Sequence, residues 1–126
     1  MTALAAILLV CSHGDRDVAA TVHAAAVEQG VDPALALAVA CVESGLQGRN
    51  PLGVMVPAPS GPGQVACHRT GQLDTAACVL LGVRSLAHRL RGCGGGERCA
   101  ARRYNGNKAK VAYAAKVVRI ANWVRR

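Results

Sequence analysis

Glu43 is the carboxylate whose sequence surroundings best fit acid–base chemistry. It is the only charged residue between Asp32 and Arg49, and an apolar, alanine-rich stretch precedes it. Apolar surroundings and the negative end of a helix both disfavour the ionised form of a carboxyl group. Both effects keep its proton in place near neutral pH, as a general acid requires. The sequence therefore predicts that Glu43 is a general acid, the alternative being a helix-end glutamate that reaches into water.

The other titratable side chains have simpler explanations. Four aspartates stand where helices are expected to begin, and capping of the first turn accounts for them: Asp15, Asp17, Asp32 and Asp74. Glu28 and Glu97 lie next to glycines that mark helix ends, so we expect them to be solvated. The four histidines show no partner pattern and are expected on helix faces or the surface: His13, His23, His68 and His88.

Helical periodicity runs through most of the chain and predicts an all-α or mainly α fold. Asp32 followed by Pro33 starts an apolar helix that Gly45 ends, so Glu43 falls in its last turn. Further helices are expected from Asp15 or Asp17 to about residue 29, and over residues 74–91, 97–103 and 108–124. The Gly/Pro-rich loop that follows Gly45 is expected beside Glu43, and a small β-hairpin around residues 53–56 is compatible with it.

The length of 126 residues corresponds to one domain. We assign residues 15–126 to this single domain. Residues 1–14 are either a short signal-like segment or the first helix of the domain, because their apolar run lacks a positive flank and a clean cleavage site. That run is too short to span a bilayer as a helix.

Six cysteines indicate disulfides rather than a metal site. The pairs Cys67/Cys78 and Cys93/Cys99 each flank a short loop, and their spacing differs from the usual zinc-binding patterns. We therefore expect two local disulfides, no metal and an oxidising compartment. Cys41, inside the apolar helix, is expected to be a buried free thiol.

The net charge of +8 is concentrated in the last third of the chain. Residues 84–126 hold twelve basic residues against Glu97 alone, whereas residues 1–83 hold three basic against six acidic ones. The basic part indicates a polyanionic partner or a solubilising surface. A nucleic-acid-binding module is an alternative, but the chain has two Tyr, one Trp and no Phe, which argues against base stacking. Tyr113 and Trp123 are expected to pack within the helices.

Residues 30–45 (G-V-D-P-A-L-A-L-A-V-A-C-V-E-S-G) resemble the opening motif of lytic transglycosylases of the soluble (SLT) type. In that family the glutamate of E-S-G is the catalytic acid. Two segments resemble the next family motif, G-L-M-Q: G-V-M at residues 53–55 and G-P-G-Q at residues 61–64, of which we prefer the second. R-Y-N-G at residues 103–106 resembles the family's A-Y-N-A-G motif, and Tyr113 and Val117 match a closing Y-x-x-x-V. The resemblance covers roughly residues 18–120, with a shortened middle.

The resemblance implies a lysozyme-like fold and cleavage of the bond between N-acetylmuramic acid and N-acetylglucosamine in peptidoglycan. Glu43 would act as acid and then as base, giving a 1,6-anhydromuramoyl product without a cofactor. Ser44 and Gln64 would contact the N-acetyl region or order the loop, Tyr104 would hydrogen-bond Glu43, and Asn105 would shape a turn or hold substrate. A hydrolytic muramidase on the same fold is the alternative.

The same resemblance sets the expected partners and location. The partner is the peptidoglycan glycan strand, and anionic envelope polymers are expected to contact the basic C-terminal helix. We expect a monomer that acts in the periplasm or outside the cell and does not bind nucleic acid.

Overall fold

The structure, a computed structural model, describes residues 1–106 and 110–126, except for the side chains of Asn105 and Lys110. In chain order its elements are α1 (Ala3–Val10), α2 (Arg16–Gln29), α3 (Pro33–Ser44), β1 (Met55–Pro57), β2 (Gln64–Ala66), a 3-10 helix (Cys67–Thr70), α4 (Thr75–Gly92), α5 (Glu97–Asn105) and α6 (Lys110–Arg125). The predicted mainly α-helical class is confirmed for this part of the chain.

Aspartate side chains begin three of the helices, as the sequence predicts. The Oδ1 atom of Asp15 accepts hydrogen bonds from the first turn of α2, so Asp15 rather than Asp17 is its cap. Asp32 and Asp74 cap α3 and α4 in the same way. These bonds satisfy amide groups that have no partner within the helix.

Helix α3 is the central element of the fold. Its residues from position 34 to position 40 are buried, and it packs against α1, α2 and α6. Helix α4 packs against α2 and α5, and α5 packs against α6. A helix that is apolar on all sides is stable only when other elements cover it. The packing of α3 therefore fixes where its last turn, with Glu43, reaches the surface.

The Gly/Pro-rich loop contains a small hairpin whose first strand overlaps the expected residues 53–56 and whose second strand lies further on, at residues 64–66. Strands β1 and β2 are antiparallel, with Val56 opposite Val65. The 3-10 helix follows β2 directly and leads towards α4. The hairpin is mostly exposed, whereas the residues that precede it, Pro51 and Leu52, are buried.

Helix α1 packs against the rest of the domain. Ile7 is fully buried in the common core, while Leu9 on the opposite face is 63% exposed. Within the described residues, no helix is both long enough and apolar enough to cross a membrane.

Three disulfides link the described elements. Cys67–Cys78 and Cys93–Cys99 are paired as predicted. The expectation of a free thiol at Cys41 is wrong, because Cys41 is bonded to Cys11 and ties α3 to the end of α1. The sequence suggested only local pairs, whereas this bond spans 30 residues and depends on helix packing. Three disulfides are typical of an oxidising environment, outside the cytoplasm.

Two expectations about the C-terminal region need correction. Glu97 is not simply solvated, because it forms an ion pair with Arg125, which also pairs with Asp32 at 2.8 Å. Arg125 thus joins the end of α6 to the starts of α3 and α5. Trp123, expected to pack among the helices, is 40% exposed beside a cavity of about 240 Å³ between α1 and α6. Lys108, part of the predicted basic surface, lies outside the described residues.

Candidate active site

Glu43 lies in the last turn of α3, where the helix leaves the core. Gly45 ends the helix with a φ of 70°, and its amide group donates to the carbonyl of Cys41. The amide group of Leu46 reaches back to the Ala40 carbonyl, so the end of α3 has partners for carbonyl groups that the helix leaves free. This termination leaves Glu43 half-buried at the boundary between the core and the loop.

Tyr113 holds one oxygen of the Glu43 carboxyl group. Its hydroxyl group donates to Oε2 of Glu43 at 2.9 Å, across the contact between α6 and α3. The prediction that Tyr104 makes this bond is wrong, and Tyr113 is more than the packing residue that the sequence suggested. The sequence places Tyr113 correctly in an amphipathic helix, but it does not show which face of α6 meets the end of α3.

Gly53 lies against the other oxygen of Glu43. A Cβ atom built on Gly53 would be 2.9 Å from Oε1, and the φ of this residue is 64°. Both the short distance and the left-handed backbone conformation favour glycine here. The backbone of residues 52–54, called here the wall segment, therefore lies along one side of the Glu43 carboxyl group.

Burial controls the electrostatics of this group of side chains. Burial raises the pKa of Glu43, and the hydrogen bond from Tyr113 lowers it by a smaller amount. This net direction confirms what the sequence predicts from an apolar environment. Burial and then the charge of Glu43 raise the pKa values of Tyr104 and Tyr113 far above neutrality. Both hydroxyl groups therefore remain protonated and act as donors at physiological pH.

Tyr104 supports the wall segment rather than Glu43 itself. Its hydroxyl group donates to the carbonyl oxygen of Leu52 at 2.6 Å. The guanidinium group of Arg89 lies 6.0 Å from the centre of the Tyr104 ring, at the outer limit of a cation–π contact. Tyr104 therefore lies near Glu43, as predicted. Its hydroxyl group bonds to Leu52, the residue before Gly53, and not to the carboxyl group.

Ser44 and Asn50 hold the chain that leads into the wall segment. Ser44 Oγ lies 2.9 Å from the carbonyl oxygen of Pro51 and 3.0 Å from that of Ala40. Asn50 bonds through its side chain to both the amide and the carbonyl group of Val54. Ser44 therefore fits its predicted loop-ordering role. Asn50 was not predicted, although an asparagine before proline and glycine is a recognisable turn signal.

The structure distinguishes between the two segments that resemble the second family motif. Gly53 contacts the Glu43 carboxyl group, whereas a Cβ atom on Gly61 would meet no atom within 4 Å. Our preference for residues 61–64 is therefore not supported by proximity. Gln64 lies on β2 with an exposed side chain, and its substrate-binding role stays a prediction. The side chain of Asn105 lies outside the described residues.

The remaining carboxylates occupy other parts of the molecule. All seven acidic residues lie within the described residues. Asp15, Asp32 and Asp74 cap helices, and Glu97 pairs with Arg125. Asp32 is at the far end of α3, roughly 16 Å from Glu43 at 1.5 Å per residue. No other carboxyl group of the described residues contributes to the pKa shift of Glu43, whose causes are burial and the hydrogen bond from Tyr113.

Comparisons of the chain with protein-family models, with curated proteins and with solved structures give no match. The class that the fold and the site define is a disulfide-bonded, mainly α-helical domain. Its candidate active site is a half-buried glutamate between a tyrosine hydroxyl group and a glycine backbone.

Proposed function

We propose that this protein is a peptidoglycan lytic transglycosylase with a lysozyme-like fold, and that Glu43 is its single catalytic acid and base. The observation that carries the proposal is the environment of Glu43. Burial raises its pKa, Tyr113 bonds to Oε2 and Gly53 lies beside Oε1, and it stands in an E-S-G sequence. The proposal rests on this geometry together with the sequence resemblance.

In the first step, protonated Glu43 gives its proton to the oxygen of the glycosidic bond. The bond between that oxygen and C1 of N-acetylmuramic acid breaks, and positive charge develops on the sugar ring. The N-acetyl group of the same sugar supports that charge. A raised pKa suits this step because it increases the fraction of the carboxyl group that carries a proton at a given pH.

In the second step, the Glu43 carboxylate takes the proton of the C6 hydroxyl group while that oxygen attacks C1. The new bond closes a 1,6-anhydro ring and returns Glu43 to its starting protonation state. An ordinary glycosidase uses two carboxyl groups, one of which serves as nucleophile or activates water. An internal hydroxyl group needs no positioned water and reacts at a high effective concentration. A single carboxyl group is therefore sufficient for this reaction.

The neighbours of Glu43 have distinct roles in this scheme. The hydrogen bond from Tyr113 to Oε2 fixes the orientation of the carboxyl group and favours its charged form. That bond therefore helps most after the first proton transfer, when Glu43 is ionised. Gly53 lets the backbone pass close to Oε1, and Tyr104 and Ser44 position the chain around Gly53.

The proposed substrate is consistent with the charge and the disulfides. Peptidoglycan lies outside the cytoplasm, where disulfides persist, and its envelope polymers are anionic. We propose that the enzyme acts as a monomer in the periplasm or outside the cell, without a cofactor. The basic residues near the C-terminus would hold it close to the wall.

Clearing of a suspension of purified peptidoglycan sacculi tests this proposal. The wild-type protein is expected to clear the suspension, and Glu43→Gln is expected to lose about 10²–10⁴-fold of that rate. Glu28→Gln is the matched control, because it removes the same chemical group from an exposed position on α2. Wild-type clearing by a folded Glu43→Gln variant would refute the role of Glu43.

A further inference from the structure

The wall segment, residues 52–54, is held between Glu43 and helix α4. On one side Gly53 touches the Glu43 carboxyl group. On the other side a Cβ atom on Gly82 would lie 2.7 Å from Cβ of Leu52 and 3.0 Å from Cγ2 of Val54. The wall segment thus packs directly on the backbone of α4. A movement of the wall segment relative to α4 would therefore change the surroundings of the Glu43 carboxyl group.

One disulfide fastens the chain at this contact. The carbonyl oxygen of Val54 accepts a hydrogen bond from the amide group of Cys67 at 2.9 Å. Cys67 is bonded to Cys78, and both are fully buried. Cys78 precedes Gly82 by four residues, so both lie on the same face of α4. The disulfide therefore holds Cys67, which bonds to Val54, next to the face of α4 on which the wall segment packs.

The other two disulfides join other pairs of elements, and of their cysteines Cys41 lies on α3, two residues before Glu43. Cys93–Cys99 joins the end of α4 to the start of α5, and Cys93 lies roughly 16 Å along α4 from Gly82. Cys11–Cys41 joins α1 to α3. Among the three, the contacts described here connect only Cys67–Cys78 to the wall segment through a direct hydrogen bond.

We propose that the Cys67–Cys78 disulfide is a positioning element for Glu43, so that the catalytic site is complete only in the oxidised protein. Its role goes beyond closing an 11-residue loop in the unfolded chain. The part of this inference that concerns activity rests on the proposed function, whereas the part that concerns the environment of Glu43 does not.

Reduction of the Cys67–Cys78 disulfide would increase the access of water to Glu43 in the following steps. A dithiol supplies two electrons and two protons, the sulfur–sulfur bond breaks to give two cysteine thiols, and the dithiol becomes a disulfide. The 3-10 helix would then no longer be fixed to α4, and the bond from Cys67 to Val54 would weaken. Water would reach Oε1 of Glu43 beside Gly53, and the desolvation that raises the pKa of Glu43 would fall.

The test compares two double variants of the full chain, Cys67→Ala/Cys78→Ala and the matched control Cys93→Ala/Cys99→Ala. The pKa of Glu43 is measured by NMR titration of its carboxyl carbon, and kcat and KM are measured on sacculi. Within the described residues, the titratable groups facing Glu43 are Tyr113 from α6 and Tyr104 from α5. Both variants leave these groups in place.

We expect the Cys67→Ala/Cys78→Ala variant to show a lower pKa of Glu43 and a kcat about 10- to 100-fold below that of wild type. The Cys93→Ala/Cys99→Ala variant should lose thermal stability while it keeps the wild-type pKa. An unchanged pKa in the first variant, or equal shifts in both, would overturn the inference.

Gly82→Ala provides an independent test with all disulfides intact. Its methyl group would displace Leu52 and Val54 from the backbone of α4, so the pKa of Glu43 should shift even if the cysteine variant does not fold. No change in that pKa would also overturn the inference. If the pKa shifts occur but wild-type protein leaves sacculi intact, the positioning role stands and the proposed function fails.

Discussion

At the scale of single residues, opposing influences set the proton affinity of Glu43. Burial raises its pKa, and the hydrogen bond from Tyr113 lowers it. Gly53 lies on the Oε1 side of the carboxyl group, while Tyr113 bonds to Oε2. The two oxygens of one carboxyl group therefore have different neighbours, and variants of those neighbours should move the pKa in opposite directions.

Tyr113→Phe removes the donor to Glu43. The pKa of Glu43 should rise further, so the alkaline limb of kcat/KM should move to higher pH, and kcat should fall about 10- to 100-fold, as expected for a lost bond to a charged group. Tyr104→Phe is the matched comparison, because it frees the Leu52 carbonyl and loosens the wall segment. Its alkaline limb should move to lower pH. Alkaline limbs that shift in the same direction in both variants would contradict these two roles.

Glu43→Gln should change stability in a pH-dependent way. Because the folded-state pKa is raised, protonation of Glu43 stabilises the folded protein at low pH, and that stability is lost as pH rises through the folded-state value. The Gln side chain does not ionise. The Tm values of variant and wild type should therefore agree below about pH 4, where the unfolded chain is also protonated, and the variant should melt higher at alkaline pH. Thermal melts across this range provide the measurement, and a difference independent of pH would contradict the raised pKa.

The sequence singles out Glu43 as the candidate acid, but it does not indicate Tyr113 as the hydrogen-bond donor to this residue. Glu43 stands alone in an apolar helix whose cap, proline and terminal glycine are all local signals. Tyr113 reaches it across 70 residues, and this contact depends on how α6 lies against α3. Local pattern does not define such packing, and the family resemblance points to Tyr104 instead.

At the scale of elements, the loop that follows α3 is ordered by side chains rather than by regular structure. Asn50, Ser44 and Tyr104 each bond to the backbone between positions 51 and 54. The helices could be predicted because their caps and periodicity are local. The path of this loop could not be predicted, because its hydrogen-bond partners in α3, α5 and the residues beyond β2 are brought together only by the tertiary fold.

Asn50→Ala tests whether side-chain hydrogen bonds hold the loop in place. The change removes two hydrogen bonds to Val54 and should reduce the free energy of unfolding by about 1–3 kcal/mol, because the two backbone groups lose their partner. Clearing of sacculi should fall as well. Gln47→Ala, at an exposed position of the same loop, is the control and should have little effect. Equal denaturation midpoints for the two variants would contradict the role of Asn50.

At the scale of the whole molecule, the basic charges near the C-terminus fall into two groups. Arg125 is bound to Asp32 and Glu97 and connects three helices. Arg126, next to it, is exposed. The sequence shows the concentration of positive charge, but the distinction between a structural arginine and one available to a polyanion depends on tertiary contacts.

Arg126→Ala and Arg125→Ala should therefore differ. Arg126→Ala should weaken binding to sacculi and reduce its salt dependence without a change in Tm, since exposed charges act over a Debye length of about 8 Å. Arg125→Ala should lower stability by about 0.5–1 kcal/mol, as expected for a partly exposed ion-pair network. Co-sedimentation with sacculi at increasing salt and thermal melts provide the two measurements. Binding that is constant from low to high salt would show that the basic surface does not contact the wall.

The central claim is that one carboxyl group, Glu43, both breaks the glycosidic bond and closes the anhydro ring. Mass spectrometry of the muropeptides released from sacculi tests it most directly, because an anhydromuramoyl end is lighter by one water than a hydrolysed end. We predict anhydro products from the wild-type protein and from Glu28→Gln, and none from folded Glu43→Gln. Hydrated ends as the wild-type product, or anhydro products from Glu43→Gln, would contradict the account.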